Sequence, residues 1–215
     1  MGDGQTRPKL LIVGAGGHAK VVIDLVRAEA LYDLVGLIDR PSDALVNGAV
    51  VIGSDEDLPR LRAEGVTHAH VAIGNNARRL SLARELESKG FVLANAISPA
   101  AILSPSTALG AGIAVMAGAV VNVDSRIGDA AILNTRASLD HDGTIGEGAH
   151  VAPGCALAGN VSVGRLAFLG VGTSVIPGIA IGDEAIVGAG SCVVRPVPPR
   201  TKAYGVPARI VASQH

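Results

Sequence analysis

The sequence predicts two fold classes in one chain, a small parallel α/β domain followed by a parallel β-helix of six-residue repeats. Strands alternate with helices over the first ninety residues, and every sixth residue from Ile97 to Val193 is aliphatic. Aromatic residues make up only 2% of the chain, whereas 48% is hydrophobic and 28 residues are glycine, as expected for a narrow core with closely spaced turns. We therefore predict an α/β domain over residues 1–95, a repeat domain over 96–198, and an extended segment over 199–215.

A glycine-rich turn follows the first predicted strand, KLLIV at residues 9–13. It reads Gly14-Ala15-Gly16-Gly17-His18-Ala19 and leads into a helical pattern. Glycines let the backbone approach a phosphate, and a helix N-terminus offers free N–H groups. We predict that Gly14, Ala15, Gly16, Gly17 and His18 bind a nucleotide-linked ligand. A tight turn without a ligand, with His18 in solvent, is the alternative.

Two more predicted strands of this Rossmann-like sheet end in polar residues. Leu34–Ile38 ends at Asp39 and Arg40, and His68–Ile73 ends at Gly74 and Asn75, before a predicted helix over 77–89. Ligands bind at the carboxyl ends of parallel strands, so these four residues join the predicted nucleotide-sugar site, with Asp39 facing a ribose hydroxyl. The domain is too short for a complete dinucleotide fold, which disfavours an NAD(P)-dependent oxidoreductase.

The repeat continues without an insertion, and the residue four positions after each aliphatic one is mostly small. Three hexads make one coil, so residues 18 apart stack in adjacent coils. Cys155 occupies such a small inward position and is predicted to be structural. Four prolines between positions 196 and 207 predict that the C-terminal segment is a rigid extended loop rather than a strand.

One hexad carries residues that the repeat does not require, His141 between Asp140 and Asp142. A neutral imidazole can accept a proton, and a carboxylate partner fixes its tautomer and stabilises the imidazolium. Gly159 lies 18 residues later, where its uncovered N–H would face the oxyanion of a tetrahedral intermediate. A surface histidine among solvated acids is the alternative, and either aspartate is a possible partner. Asn134, in the same coil, either contacts substrate or caps a turn.

The chain resembles bacterial hexapeptide-repeat sugar acetyltransferases through GAGGHA, IGNN, LNTRASLDHDGTIGEGAHVAPGCALAGNVSVG and GVPAR. These enzymes N-acetylate nucleotide-linked 4-amino-6-deoxy sugars, and sialic acid O-acetyltransferases are among their relatives. The resemblance implies a left-handed β-helix, acetyl-CoA as co-substrate and no metal. It also implies that His141 is the general base, that Asp142 orients it, and that the Gly159 amide binds the acetyl carbonyl.

Further expectations come from the same resemblance. His150, Val171 and Ala189 would contact the pantetheine of acetyl-CoA, although His150 could simply face solvent, and Lys202 with the segment 205–209 would lie near the adenine and its phosphates. A homotrimer with active sites between subunits is implied. The best-matching acceptor is GDP-perosamine, for a surface polysaccharide; a UDP-linked amino sugar, or O-acetylation of a sugar hydroxyl, is the alternative.

Charge and hydropathy exclude other classes of function. With 18 basic and 19 acidic residues, the chain has no basic excess for nucleic acid, and no apolar run is long enough to span a membrane. We therefore expect neither partner, and a cytoplasmic protein. A non-enzymatic β-helix scaffold is disfavoured because the acid-flanked His141 and Gly159 are both present.

Overall fold

The structure is a computed structural model and describes residues 7–213. Residues 1–6 and 214–215, the outer ends of the predicted first and last domains, lie outside this range. The chain divides between Ala96 and Ile97 into two compact units. The first contains a parallel sheet with helices and the second a left-handed β-helix, so the predicted fold class is confirmed.

The first unit is a five-stranded parallel sheet with the order β3-β2-β1-β4-β5. Strand order reverses at β1, which opens a crevice at the carboxyl ends of β1 and β4. The elements are β1 (Lys9–Val13), α1 (Gly17–Glu29), β2 (Asp33–Ile38), β3 (Val51–Gly53), a 3₁₀ turn (Asp55–Asp57), α2 (Leu58–Ala63), β4 (Val66–Val71), α3 (Asn76–Ser88) and β5 (Val92–Leu93).

Two strands and one helix of this unit were not predicted, and one strand is displaced. The strands β3 and β5 and the helix α2 are too short for hydrophobic periodicity to reveal them. The strand β4 begins and ends two residues before the predicted run, although the Ala72 N–H still donates to Val13 O at 2.8 Å. The helix α3 begins at Asn76 because Asn75 Oδ1 caps it by accepting the Arg78 N–H at 2.9 Å.

The second unit is a three-faced column whose stacked strands pair in parallel, each with the strand 18 residues away. The first face contains β6 (Ala96–Ile97), β9 (Ala114–Val115), β12 (Ile132–Leu133), β15 (His150–Val151), β18 (Phe168–Leu169) and β21 (Ile186–Val187). The second contains β7 (Ile102–Leu103), β10 (Val120–Val121), β13 (Ser138–Leu139), β16 (Ala156–Leu157), β19 (Ser174–Val175) and β22 (Cys192–Val193). The third contains β8 (Ala108–Leu109), β11 (Arg126–Ile127), β14 (Thr144–Ile145), β17 (Ser162–Val163) and β20 (Ala180–Ile181).

We call the turns from the first to the second face corner 1/2, those from the second to the third face corner 2/3, and those from the third back to the first corner 3/1. The aliphatic repeat fills the interior, and its members from Val115 to Val193 are all buried. Leu109 of the first coil is half-exposed, since no coil stacks beneath it. Cys155 is buried with Sγ 3.1 Å from Gly170 O, and burial raises the pKa of its thiol, as befits a structural cysteine.

The C-terminal segment corrects one prediction. Instead of an extended loop it forms a hairpin of β23 (Thr201–Gly205) and β24 (Ala208–Ser213), which continues the first face beyond β21. Prolines 196, 198 and 199 precede β23, and Pro207 lies between the two strands. The prolines therefore stand outside the hydrogen-bonded ladder, where they do not oppose strand formation.

Candidate active site

The His141 turn lies at corner 2/3, between β13 and β14. Asp142 adopts a left-handed backbone conformation, φ 56°, which a turn aspartate tolerates. The Asp142 N–H donates to Val123 O in the coil below at 3.0 Å, and the Asn160 N–H of the coil above donates to His141 O at 2.9 Å. The backbone around the imidazole is therefore held from both sides while the side chain remains half-exposed.

The imidazole pairs with one of its two flanking acids. His141 Nδ1 lies 2.8 Å from Asp142 Oδ2. This hydrogen bond, followed by the charge of Asp140, raises the pKa of His141. When Nδ1–H donates to the carboxylate, Nε2 is left as a proton acceptor, which is the tautomer that a general base requires.

Asp140 has a different task. Its Oδ1 accepts the His141 N–H and the Asn122 Nδ2–H, both at 2.8 Å. The Asn122 hydrogen bond and then the His141 N–H lower the pKa of Asp140, so its carboxylate stays ionised. The structure therefore resolves the choice left open by the sequence, because the imidazole bonds to Asp142 while Asp140 binds the backbone and the coil below.

Gly159 sits against the reactive edge of the imidazole. A Cβ built on Gly159 would lie 2.5 Å from both Cε1 and Nε2 of His141. Within the described part of the chain, the Gly159 N–H has no hydrogen-bond partner. An unpaired N–H beside an acceptor nitrogen has the composition of an oxyanion-binding site next to a base.

A groove of about 530 Å³ runs along the second face beside this turn. Small outward side chains form its floor, and Asp140, Ala158 and Pro177 border it at corner 2/3. The floor residues are Ser138, Ala156 and Ser174. Since these side chains are short, an extended molecule can approach the backbone of the second face closely.

The other predicted residues of the column lie at corner 1/2 and on the first face, away from His141. Asn134 Nδ2 is 3.1 Å from His150 Nε2, and the His150 ring meets Phe168 edge-on with centroids 5.3 Å apart. Asn134 Oδ1 also accepts the Thr135 N–H at 2.8 Å, so this asparagine is a turn residue as well. The structure does not bring this pair to the base within one chain.

Val171 and Ala189 are exposed at corner 1/2 in successive coils, and the Gly190 N–H donates to Val171 O at 2.8 Å. Lys202 lies beside Ile186 on the first face, where β23 pairs with β21. Tyr204 was not predicted; its ring occupies the space that a side chain on Gly188 would need. These residues line the upper part of the column on the side of corner 1/2.

The glycine turn of the first unit borders a cavity of about 370 Å³ at the carboxyl end of the sheet. Gly14, with φ 110°, lines it together with Asp39 and Arg40. Asp39 also has an internal task, because its carboxylate accepts the N–H groups of Ala15 and Arg40, both at 2.7 Å. Additional lining residues that sequence reasoning missed are Ser54, Asp55, Glu56 and Arg78.

His18 lies in the first turn of α1, and its Nε2 is buried without a hydrogen-bond partner in the described structure. Burial, followed by the charges of His70 and Arg79, lowers the pKa of His18 to about 4. Arg79 is itself buried and donates to Ile73 O at 3.0 Å and Gly74 O at 3.3 Å. His18 is therefore a neutral hydrogen-bonding group, and Gly74 and Asn75 are committed to the β4–α3 turn.

No group of three or more His, Cys, Asp or Glu side chains in residues 7–213 is arranged to hold a metal ion. None of the helices in that range has the length and apolar character needed to cross a bilayer.

Comparisons with known proteins identify the family of this chain. Residues 9–86 match the family described as the PglD N-terminal domain. The whole chain is similar to PerB, the GDP-perosamine N-acetyltransferase of Caulobacter crescentus, solved with CoA and GDP-perosamine: 50% identity over 95% of this chain and 97% of that one, TM-score 0.92. This chain belongs to the hexapeptide-repeat family of sugar N-acetyltransferases.

A second family member, the acetyltransferase domain of PglB from Neisseria gonorrhoeae, is 35% identical over 95% of this chain and 100% of that one, with a TM-score of 0.91. The Caulobacter enzyme has also been solved as H141N and H141A variants with CoA and GDP-perosamine. An uncharacterized protein of Acanthamoeba polyphaga mimivirus is 30% identical over 123 residues. This chain spans about a quarter of that relative's length, the match covering 24% of it.

Proposed function

We infer that this acetyltransferase transfers an acetyl group from acetyl-CoA to the 4-amino group of a GDP-linked 4-amino-6-deoxy sugar, GDP-perosamine. The observation that carries the proposal is the His141–Asp142 pair, whose free Nε2 lies against Gly159, a residue with an unpaired N–H. The similarity to PerB supports the choice of co-substrate and acceptor.

The reaction is a direct transfer. The sugar amine attacks the thioester carbonyl and forms the C–N bond, while His141 Nε2 takes the proton that the nitrogen loses. The Gly159 N–H donates to the oxyanion of the tetrahedral intermediate. Collapse of the intermediate breaks the C–S bond, and the imidazolium returns its proton to the departing thiolate. The products are the amide and CoA, and His141 is again neutral.

Asp142 serves the proton transfer in two ways. Its carboxylate holds Nδ1–H at 2.8 Å, which fixes the tautomer, and it stabilises the positive charge that the imidazole gains. A raised pKa of His141 makes the base stronger, but it also increases the protonated fraction at neutral pH. Activity should therefore rise with pH as His141 loses its proton.

We assign the nucleotide end of the acceptor to the cavity beside Gly14, Asp39 and Arg40. The glycine turn offers backbone N–H groups at the start of α1, which suits a diphosphate. Neutral His18 supplies a further polar group at the same turn. Acetyl-CoA and nucleotide-activated sugars are metabolites of the cytoplasm, where we place the reaction.

The active unit that we propose is a homotrimer with its sites between neighbouring columns. Two features support it: the base lies at corner 2/3, and the residues expected to hold pantetheine, Val171 and Ala189, lie at corner 1/2. One column therefore offers both halves of a site but keeps them on different edges. A neighbour that presents its corner 1/2 to this corner 2/3 completes the site.

Assembly is tested by mixing two inactive variants, His141→Ala and Val171→Arg. The first lacks the base, and the second blocks the pantetheine column. If sites form between subunits, a mixed assembly regains about a quarter of the wild-type activity, because about one interface in four pairs two intact halves. If each chain carries a complete site, mixing restores nothing. Light scattering on the wild type gives the subunit number independently.

The acceptor is tested by measuring release of the CoA thiol with three nucleotide sugars. We expect turnover with GDP-perosamine, much less with a UDP-linked 4-amino sugar, and none with a GDP-sugar carrying a 4-hydroxyl. Mass spectrometry of the product locates the acetyl group. Faster turnover of the UDP-linked sugar would reject the guanine assignment, and acetylation of the hydroxyl sugar would reject N-acetylation.

A further inference from the structure

The turn that carries His141 is closed differently from most turns of the column. At corners 1/2 and 3/1 the fourth residue of a turn typically donates its N–H directly to the carbonyl of the first, as Ala137 does to Asn134 O at 3.0 Å, whereas among the described turns of corner 2/3 only 104–107 closes in this way. In the His141 turn, no direct hydrogen bond joins the Gly143 N–H to Asp140 O among the described residues. The hydroxyl of Ser125, from the coil below, stands between these two groups instead.

Ser125 Oγ donates to Asp140 O at 2.9 Å and accepts the Gly143 N–H at 3.2 Å. Ser125 is fully buried, so its hydroxyl hydrogen-bonds to these two backbone groups instead of to water. A buried hydroxyl with both partners satisfied fixes their separation, whereas removing the oxygen leaves an N–H and a carbonyl unpaired. The two groups are the ends of the turn whose middle residues are His141 and Asp142.

Gly143 makes room for this arrangement. A Cβ on Gly143 would lie 2.5 Å from Leu139 Cδ1 and 3.0 Å from Asp140 O. A larger residue at this inward position would therefore have to displace the Leu139 side chain and would crowd Asp140 O, the carbonyl to which Ser125 donates. The serine below and the glycine above form a matched pair at corner 2/3.

Thr107, one coil lower at the same corner, provides the contrast. Its own turn closes directly, with the Thr107 N–H donating to Ser104 O at 3.0 Å. The Thr107 hydroxyl is buried without a hydrogen-bond partner in the described structure. A hydroxyl at this position of the repeat is thus not automatically engaged with the turn above.

Cys155 Sγ and Thr173 Oγ1 also contact the first carbonyl of the turn above, Gly170 O at 3.1 Å and Gly188 O at 3.3 Å, but those turns close directly. Among the described residues, Ser125 alone also accepts the closing N–H of the turn above it, and that turn carries the base.

We propose that Ser125 is a positioning residue for the base: its hydroxyl replaces the closing hydrogen bond of the turn and holds His141 and Asp142 in register with Gly159. The inference rests on the proposed role of His141 and extends it to a buried residue that touches no substrate. A small misplacement of a base costs up to about a hundredfold in rate, so loss of this one brace should cost about tenfold in kcat.

The test compares Ser125→Ala with the matched control Thr107→Val. We expect Ser125→Ala to lower kcat about tenfold with little change in KM for either substrate. The pH profile of kcat/KM should shift to lower pH, because a looser turn weakens the Asp142 hydrogen bond that raises the pKa of His141. Thr107→Val should leave kcat and the profile unchanged, since the hydroxyl it removes is unpaired.

Three outcomes overturn the proposal. One is an unchanged kcat and pH profile in Ser125→Ala. Another is a fall in kcat that only follows the folded fraction and disappears on cooling. The third is an equal effect of Thr107→Val. If Ser125→Ala does not fold, Ser125→Cys takes its place, because Cys155 shows that a thiol fits the inward position.

In Ser125→Cys, the thiol fills the site but is only a weak hydrogen-bond donor and acceptor, so kcat of the folded variant should fall. An unchanged kcat in folded Ser125→Cys would also overturn the proposed positioning role of Ser125. Activity retained by His141→Ala would reject the proposed function itself, whereas a neutral result at Ser125 alone rejects only the positioning role.

Discussion

His141 in the column and His18 in the α/β unit are the same side chain in opposite environments. His141 is half-exposed, and the hydrogen bond to Asp142 and the charge of Asp140 raise its pKa. His18 is largely buried, and burial with the charges of His70 and Arg79 lowers its pKa to about 4. The first environment produces a base, and the second keeps the imidazole neutral near pH 7.

The comparison shows where the information for each role is stored. The groups that tune His141 are its neighbours in sequence, and the repeat brings Gly159 onto it from exactly one coil above. The groups that tune His18 come from β4 and α3, more than fifty residues away. A local pattern therefore exposes the base, while the neutral histidine emerges only from the packed unit.

The largest expected effect is that of His141→Ala, which removes the base. We expect kcat to fall by about 10²–10⁴, the usual contribution of a positioned base. Binding of acetyl-CoA, measured by calorimetry, should persist, because the proposed role of the imidazole is to accept a proton and not to bind the cofactor. The matched loss of a histidine outside the site, His68→Ala, should leave kcat within about twofold. Near-normal turnover in His141→Ala would show that His141 is not the base, and its proposed difference in role from His18 would be wrong.

Gly159→Ala should cause the second-largest loss of kcat, after His141→Ala. Its added methyl would press on Cε1 and Nε2 of His141 and screen the N–H that we propose binds the oxyanion. Loss of one such donor typically costs about 10²–10³ in kcat. Gly164→Ala is the control, since its methyl would lie 2.5 Å from Asp183 Oδ1 at corner 3/1. It should reduce thermal stability but keep the kcat of the folded enzyme, and equal kcat losses in the two variants would argue against an oxyanion role.

Asp142→Asn tests the pairing itself. It removes the largest cause of the raised pKa of His141, so the acidic limb of kcat/KM should move to lower pH. An amide can also donate to Nδ1 and favour the tautomer that cannot accept a proton at Nε2, so kcat should fall about 10–100-fold. Asp140→Asn should have the smaller effect on kcat, because Asp140 bonds to the backbone and to Asn122. A larger loss of kcat in Asp140→Asn than in Asp142→Asn would show that Asp142 is not the functional partner of His141.

Much of the column could be predicted from the sequence because one rule, an aliphatic residue at every sixth position, sets its strands, interior and stacking. The same rule predicted that Gly159 stacks on His141. It could not choose between Asp140 and Asp142, which depends on side-chain rotation within one turn. The C-terminal hairpin was missed because the prolines that argued against strands lie before β23 and in the turn.

The α/β unit was predicted less completely. The glycine turn, β1 and α3 follow from local pattern, whereas β3 and β5 are too short to register. Ser54 and Arg78 reach the cavity only through folding of the sheet, and nothing in their sequence context marks them. Asp39, expected to face a ribose, also accepts the Ala15 N–H, a contact that depends on the spacing of β1 and β2.

The smallest expected effect is on stability and comes from His70, a neighbour of His18 in the α/β unit. His70 is fully buried and donates from Nδ1 to Ala94 O at 2.8 Å. Burial lowers its pKa to about 4, whereas the unfolded chain has the ordinary value of 6.5. Between those values the unfolded state binds more protons, so stability is complete above pH 6.5 and declines as the pH falls towards 4.

At pH 5 this histidine should cost the folded state about 2 kcal/mol relative to neutral pH. His70→Asn keeps a donor near the Nδ1 position but does not titrate, so its stability should fall less between pH 7 and pH 5. Chemical denaturation of the wild type and the variant at the two pH values measures the difference. A parallel decline in both proteins would show that His70 is not responsible, and would leave His18 as the remaining buried histidine with a pKa near 4.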